Sequence, residues 1–256
     1  MWFDSHSHLT DERFDETRDS LIASFRQENI GHALDIGTNF FDSQKAIENA
    51  CKYPEIYCAV GIHPDSVNDL KDGFQDELKR LALSSKKVVA IGEIGLDYYW
   101  HDDNKEIQKK RFIEQIEVAR ELNLPIIIHD RDAHKDCLDI VKEYAKGMTG
   151  VFHCYSGSYE MAKEILKCGF YISFAGPITF KNEKKLKEMA PKLPLDRILV
   201  ETDSPYLAPV PFRGKTNCPI YVKHTGEMVA LCRGEEVSVV ENATYNNALK
   251  LFGIEE

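Results

Sequence analysis

The run VVAIGEIG at residues 88–95, the segment KEIQKKRFIEQIEVAREL at 105–122 and the run PIIIHD at 125–130 decide the fold. The first and last are short, apolar and rich in β-branched residues, as in strands covered on both faces. The middle one repeats apolar residues at three- and four-residue intervals and carries charge elsewhere, the pattern of a helix that buries one stripe. Strand, helix and strand in that order make a βαβ unit with parallel strands.

The alternation extends in both directions. Further strand-like runs lie at 2–8 (WFDSHSH), 32–38, 56–63, 150–155, 170–176 and 198–205, with helical patterns at 16–29, 42–52, 74–84, 134–146, 159–168 and 183–190. Eight strands in about 200 residues is the count of an α/β (β/α)8 TIM barrel. The tail from Tyr221 to Gly253 reads as one or two closing helices. No Ser/Gly-rich linker or composition shift divides the chain, so residues 1–256 read as a single domain. A doubly wound open sheet would normally bring a G-x-G-x-x-G loop, and the sequence has none.

Composition narrows the function classes. With 43% hydrophobic residues the chain can build a sizeable core, and its net charge of −10 argues against a broad basic face for a polyanion. An anionic substrate would need a local positive site, which metal ions can supply. The seven cysteines are an odd number without a C-x-x-C, as in a reduced intracellular protein. The start shows no charged region followed by an apolar one, and no apolar run reaches the ~18 residues of a membrane span. The expectation is a cytoplasmic protein, with a monomer as the simplest oligomeric state.

In a barrel, function collects where strands end and βα loops begin. His6 and His8 end the first strand, His63 the third, Glu93 the fourth, His129 the fifth, His153 the sixth, and Glu201 and Asp203 the eighth. Most of the nine histidines thus gather at one end. Residues i and i+2 of a strand point the same way, about 6.6 Å apart, so Ser5 and Ser7 turn outward while His6 and His8 turn in. Four imidazoles and two carboxylates are too many for one tetrahedral ion with an open position. They suit two divalent ions: His6 and His8 on one, His129 and His153 on the other, Glu93 bridging, and Asp203 completing the first and handling a proton. Two divalent ions, two carboxylates and a hydroxide leave the site about +1, an anion trap in an acidic chain.

The ordered motifs HxH (6–8), IGEIGLDYY (91–99), IIIH (126–129), GVFHCYSGS (150–158), ETDSP (201–205), PFRGKTNCP (211–219) and NATYNNALKLFG (242–253) resemble the TatD family of metal-dependent deoxyribonucleases, in the amidohydrolase superfamily. The resemblance spans essentially the whole chain. It implies a (β/α)8 barrel with a dinuclear metal site that hydrolyses DNA, often from a 3′ end, by in-line attack of a hydroxide held between the ions. Its metal ligands fall on His6, His8, Glu93, His129, His153 and Asp203. Cys218 departs from the acidic residue of many members, and HDRDA after His129 varies a commoner Ser-Arg-Glu-Ala run. Relatives that bridge their metals with a modified lysine are disfavoured, since VVAIGEIG contains none. Zn²⁺, Ni²⁺ or Co²⁺ suits the imidazoles, while the family's activity points to Mg²⁺ or Mn²⁺. A small ester, a lactone or an aminoacyl-tRNA bond is the alternative substrate. A nucleic-acid binder that does not cut would have no need of the full ligand set.

Other residues are weighed for substrate. His63 reads as a satisfied histidine or a donor to phosphate, and Glu201 as a carboxylate that orients a ligand histidine or, less simply, as a ligand for a third, looser ion. Tyr98, with Trp100 nearby, is a candidate stacking platform against the plainer reading of aromatic packing. Arg213 and Lys181, on the loops after strands eight and seven, are candidate phosphate contacts. Arg131 is another, against an ion pair with Asp130 or Asp132. Cys154 reads as core, and His32, His101, His134 and His224 as surface or helix-packing residues.

Overall fold

Eight strands pair in chain order, each parallel to the next. They are β1 (Trp2–Ser7), β2 (Ile30–Ile36), β3 (Ile56–Val60), β4 (Val88–Asp97), β5 (Ile126–Arg131), β6 (Gly150–Phe152), β7 (Tyr171–Phe174) and β8 (Ile198–Val200). The computed structural model describes residues 1–100 and 103–255, so His101 lies outside the described residues. The ring closes where Ser7 bridges Ser204, the His8 N–H donates to Ser204 O at 2.7 Å, and the Asp203 N–H donates to His6 O at 2.9 Å. The result is a (β/α)8 barrel. Its closing hydrogen bonds hold the HxH segment directly against Asp203.

Around the strands run α1 (Arg18–Ala23), α2 (Phe40–Lys52), α3 (Phe74–Ala82), α4 (Lys105–Leu122), α5 (His134–Tyr144), α6 (Tyr159–Lys167), α7 (Lys185–Met189), α8 (Val222–Arg233) and α9 (Val237–Phe252). Ile91, Ile126, Ile128, Phe152 and Ile172 face this helical layer, and Phe112 and Ile116 of α4 pack among them. The alternate strand residues, among them Phe3, Leu34, Ile127, Val151 and Leu199, fill the barrel. Tyr245, Ala248, Leu251 and Phe252 of α9 continue that inner cluster and close the end where the strands begin. Polar strand-end residues are thereby left to the other end.

Several elements are shorter than their apolar runs. β6 and β8 stop at Phe152 and Val200 because the chain then turns, with φ of +41° at Cys154 and +56° at Asp203. His153, Glu201 and Asp203 therefore stand on loops just past their strands. In 16–29 only Arg18–Ala23 is helical, and the Ser24 hydroxyl donates to Leu21 O at 2.7 Å, a bond that competes with helix continuation. α7 stops before Pro191, which cannot extend it.

The outward placing of Ser5 is corrected. The β1–β2 register shifts between Asp4 and Ser7, and this irregularity breaks the alternation. The Ser5 hydroxyl donates to Val200 O at 3.0 Å and lies 3.4 Å from Ser173 Oγ, two residues beyond the inner-cluster Tyr171. Ser5 and His6 both reach the barrel interior.

Candidate metal centre

Glycines let β4 deliver Glu93 to the centre of the barrel mouth. A Cβ on Gly92 would come within 2.6 Å of Ile127 Cβ, and one on Gly95, at φ +147°, within 2.0 Å of His129 O. Only glycine allows β4 to lie this close to β5.

Four side-chain atoms converge on one side of Glu93. His6 Nε2 is 3.4 Å and His8 Nε2 3.8 Å from Glu93 Oε2, while Asp203 Oδ1 is 3.8 Å from His6 Nε2 and 3.5 Å from His8 Nε2. A tetrahedral ion with bonds of about 2.1 Å has ligand–ligand edges of about 3.4 Å, so the spacing fits. On the other side, His129 Nδ1 and His153 Nε2 each lie 2.6 Å from Glu93 Oε1 and 3.3 Å from one another. Glu93 Oε2 thus faces His6 and His8, while Oε1 faces His129, His153 and, at 3.8 Å, His63.

The remote nitrogens are tied down. His8 Nδ1 is 3.2 Å from Ile36 O, His129 Nε2 is 3.2 Å from Asp97 Oδ2, and His153 Nδ1 is 3.2 Å from Glu201 Oε1. A histidine that donates its outer N–H turns a lone pair inward, as metal ligation requires. His6 is fully buried, and neither of its ring nitrogens has a hydrogen-bond partner. An unpartnered buried imidazole nitrogen facing two carboxylates is costly unless a cation takes its lone pair. Among the described residues, three groups of these side chains are spaced so that they could hold a metal ion: His6 with His8 and Asp203, His6 with Glu93 and His153, and His63 with Glu93 and His129.

The charges of the metal-free cluster agree. Burial works against ionised Glu93, yet His153, His6 and their neighbours hold it well below the usual carboxylate range. Asp203 is lowered in the same way, burial being overcome by His8 and the other imidazoles. Burial also opposes protonation of His8 and His129, but Asp203 and Glu93 raise the first to about 9, and Glu93 and Asp97 the second to about 9. His153 is raised against burial by Glu93 and Glu201, whereas burial keeps His6 below its ordinary value. The site selects anionic carboxylates and demands cations between them.

His63 is brought into the same cluster. Its Nε2 lies 3.8 Å from Glu93 Oε1, and its Nδ1 accepts the Asp65 N–H at 3.2 Å. Asp65 Oδ2 stands 3.3 Å from the same nitrogen, so the ring is held through Nδ1 and turns Nε2 toward the mouth. Glu201 holds its loop as well as His153, since its Oε1 accepts the Cys154 N–H at 2.7 Å.

A cleft of about 710 Å³ opens above the cluster. Trp100, Arg131, Lys45 and Tyr206 line it, and Trp100 is 64% exposed. Arg131 lies 4.5 Å from the Tyr99 ring and 5.8 Å from the Trp100 ring, stacked on aromatics instead of paired with Asp130 or Asp132. Three of the expected substrate residues lie away from the residues that line the cleft. The Tyr98 hydroxyl donates to Asp136 Oδ2 at 2.8 Å, which turns that ring into the α4–α5 packing and leaves Trp100 at the cleft. Arg213 folds over the Phe180 ring at 3.8 Å, and neither it nor exposed Lys181 is among the residues lining the cleft. Asp97, whose Oδ1 caps the turn through the N–H groups of Tyr99 and Trp100, also orients His129. That second role had no signal in spacing. Lys45, on α2, is a further missed residue, because its helix pattern looked like any solvated face.

The family model described as TatD related DNase matches residues 3–253. The uncharacterized metal-dependent hydrolase YabD of Bacillus subtilis is 43% identical over 99% of this chain and 100% of its own length. YcfH of Escherichia coli K12, described in the same terms, is 39% identical over 98% of this chain and 96% of its own. The crystal structure of YJJV, a TatD homolog from E. coli K12, superposes with a TM-score of 0.93 at 28% identity, covering 99% of this chain and 98% of that one. The chain therefore belongs to the TatD-related DNase family and is a metal-dependent hydrolase.

Proposed function

We propose that the chain is a two-metal phosphodiesterase that shortens single-stranded DNA from its 3′ end. The observation that carries this reading is Glu93, whose Oε2 faces His6 and His8 and whose Oε1 faces His129 and His153. His6, His8 and Asp203 would hold one divalent ion and His129 and His153 the other, with Glu93 shared. Such ions polarise a phosphoryl oxygen and make water a nucleophile near neutral pH. The chain's own groups do the rest. Asp203, pointing at the cluster, takes the proton given up by the attacking water as the P–O3′ bond breaks, and the departing 3′-oxygen of the shortened strand takes up a proton from solvent. The His63 Nε2–H donates to a non-bridging phosphoryl oxygen, and the Arg131 guanidinium offsets its charge. Trp100, exposed at the rim, offers a face on which a base can stack. An acidic chain needs such a compact positive centre to receive a phosphate.

The test is shortening of end-labelled single-stranded DNA by purified protein, with and without chelator, beside Asp203→Ala. Stepwise loss from the 3′ end that both interventions abolish is the expected result. Intact DNA under several divalent metals, with turnover of a small ester, lactone or aminoacyl-tRNA bond, would overturn it.

A further inference from the structure

Beside the cleft lies a groove of about 630 Å³ whose walls include Phe40, Phe41, Leu70 and Phe74. Ser66 lines both spaces, so the two adjoin. The first turns of α2 form the saddle between them: Phe41 lines the groove, and Lys45, one turn later, lines the cleft. The Lys45 ammonium lies 4.5 Å from the Phe41 ring centroid, and the ring remains 68% exposed. A large aromatic left open to water beside a reaction cleft calls for an apolar, flat occupant. The groove's charges are largely answered already. Asp72 faces Arg111 at 3.3 Å and Lys110 at 3.5 Å, and Asp69 and Lys71 stand in the same wall. On the saddle, the Asp42 carboxylate accepts from Thr38 Oγ1 and Asn39 Nδ2, and Lys45 supplies the cation.

We propose that this groove takes the base of the nucleotide next to the scissile one in a single-stranded nucleic acid, stacked on Phe41, with the connecting phosphate on Lys45 Nζ. The inference rests on the nuclease reading and deepens it, since it makes strand length a determinant of affinity. Stacking on an aromatic face tolerates every base, and a lysine ammonium meets phosphate as a point charge. A continuing strand is the occupant that needs both at once, in adjoining spaces.

The test compares bis(p-nitrophenyl) phosphate, too small to reach the groove, with a ten-residue oligothymidylate, on the metal-loaded protein. Phe41→Ala is expected to raise KM for the oligonucleotide about tenfold with little change in kcat, and Phe41→Trp to keep the wild-type KM. Lys45→Gln is expected to raise the same KM and to flatten its dependence on salt. Because Phe41 is mostly exposed, its truncation leaves the core intact, and unchanged melting checks this. An oligonucleotide KM identical in wild type and Phe41→Ala overturns the groove assignment and leaves the nuclease reading standing. A wild type that turns over the small diester but never the oligonucleotide overturns both.

Discussion

At Glu93 one carboxylate meets two pairs of imidazoles, and each pair depends on partners outside the cluster. Glu201 is the partner of His153, at 3.2 Å. Glu201→Gln should lower metal affinity about 10- to 100-fold, read by titration with chelator-buffered metal, because the uncharged amide is a weaker acceptor for the His153 N–H and can turn a donor toward it instead. An unchanged affinity would remove Glu201 from that role. Tyr98 and Trp100 separate packing from substrate contact. Tyr98→Phe should cost about 1 kcal/mol of stability in denaturant melts, from the lost bond to Asp136, and leave KM alone. Trp100→Ala should do the reverse, with KM for DNA up about tenfold and stability held. The histidines and acids of the mouth were legible because polar side chains stand out at the ends of apolar runs. The positions of Arg213 and Lys181 were not legible, since the direction of a loop is set by packing, here the Phe180 ring beneath Arg213, and no spacing encodes it.

The elements show the same division between pattern and context. Strand–helix alternation gave the order of all eight strands, because buried parallel strands must be apolar on both faces. It did not give the ends of β6 and β8, where the chain turns with positive φ at Cys154 and Asp203 and leaves His153, Glu201 and Asp203 on loops at the mouth. Nor did it give the irregularity that sends Ser5 inward with His6. Left-handed backbone at a non-glycine residue is sustained only by the surrounding structure, and at Asp203 that support includes the bond from its N–H to His6 O. The closing helix α9 carries a prediction of its own. Phe252 is 4% exposed within the cluster that plugs the barrel floor. Phe252→Ala should cost about 3 kcal/mol and lower Tm by roughly 10 °C, with metal content per folded chain unchanged. Loss of metal at full folding would mean that the floor and the mouth are coupled.

Across the whole molecule, a chain of net charge −10 concentrates imidazoles at a single point, and that point responds to pH. His8 and His129 rise to about 9 in the metal-free fold. A raised folded-state pKa adds stability that is complete below the unfolded value of about 6.5 and disappears as pH climbs to about 9. His153 acts in the same direction, and His6, lowered by burial, acts against it. The chelated protein should therefore melt at falling temperatures from pH 6.5 to 9. The metal-loaded protein should hold or gain, because ions displace those protons and bind better as pH rises. A chelated Tm that stays flat over this window would contradict the charge assignment. The seven cysteines are unpaired, and among the described residues no helix is long and apolar enough to cross a membrane. The account turns on Glu93 serving two ions at once, and metal content measured by mass spectrometry on the purified protein tests that claim most directly. Two divalent ions per wild-type chain, falling to one or none in Glu93→Ala, is the predicted result; a single ion in the wild type, or two retained in Glu93→Ala, would contradict it.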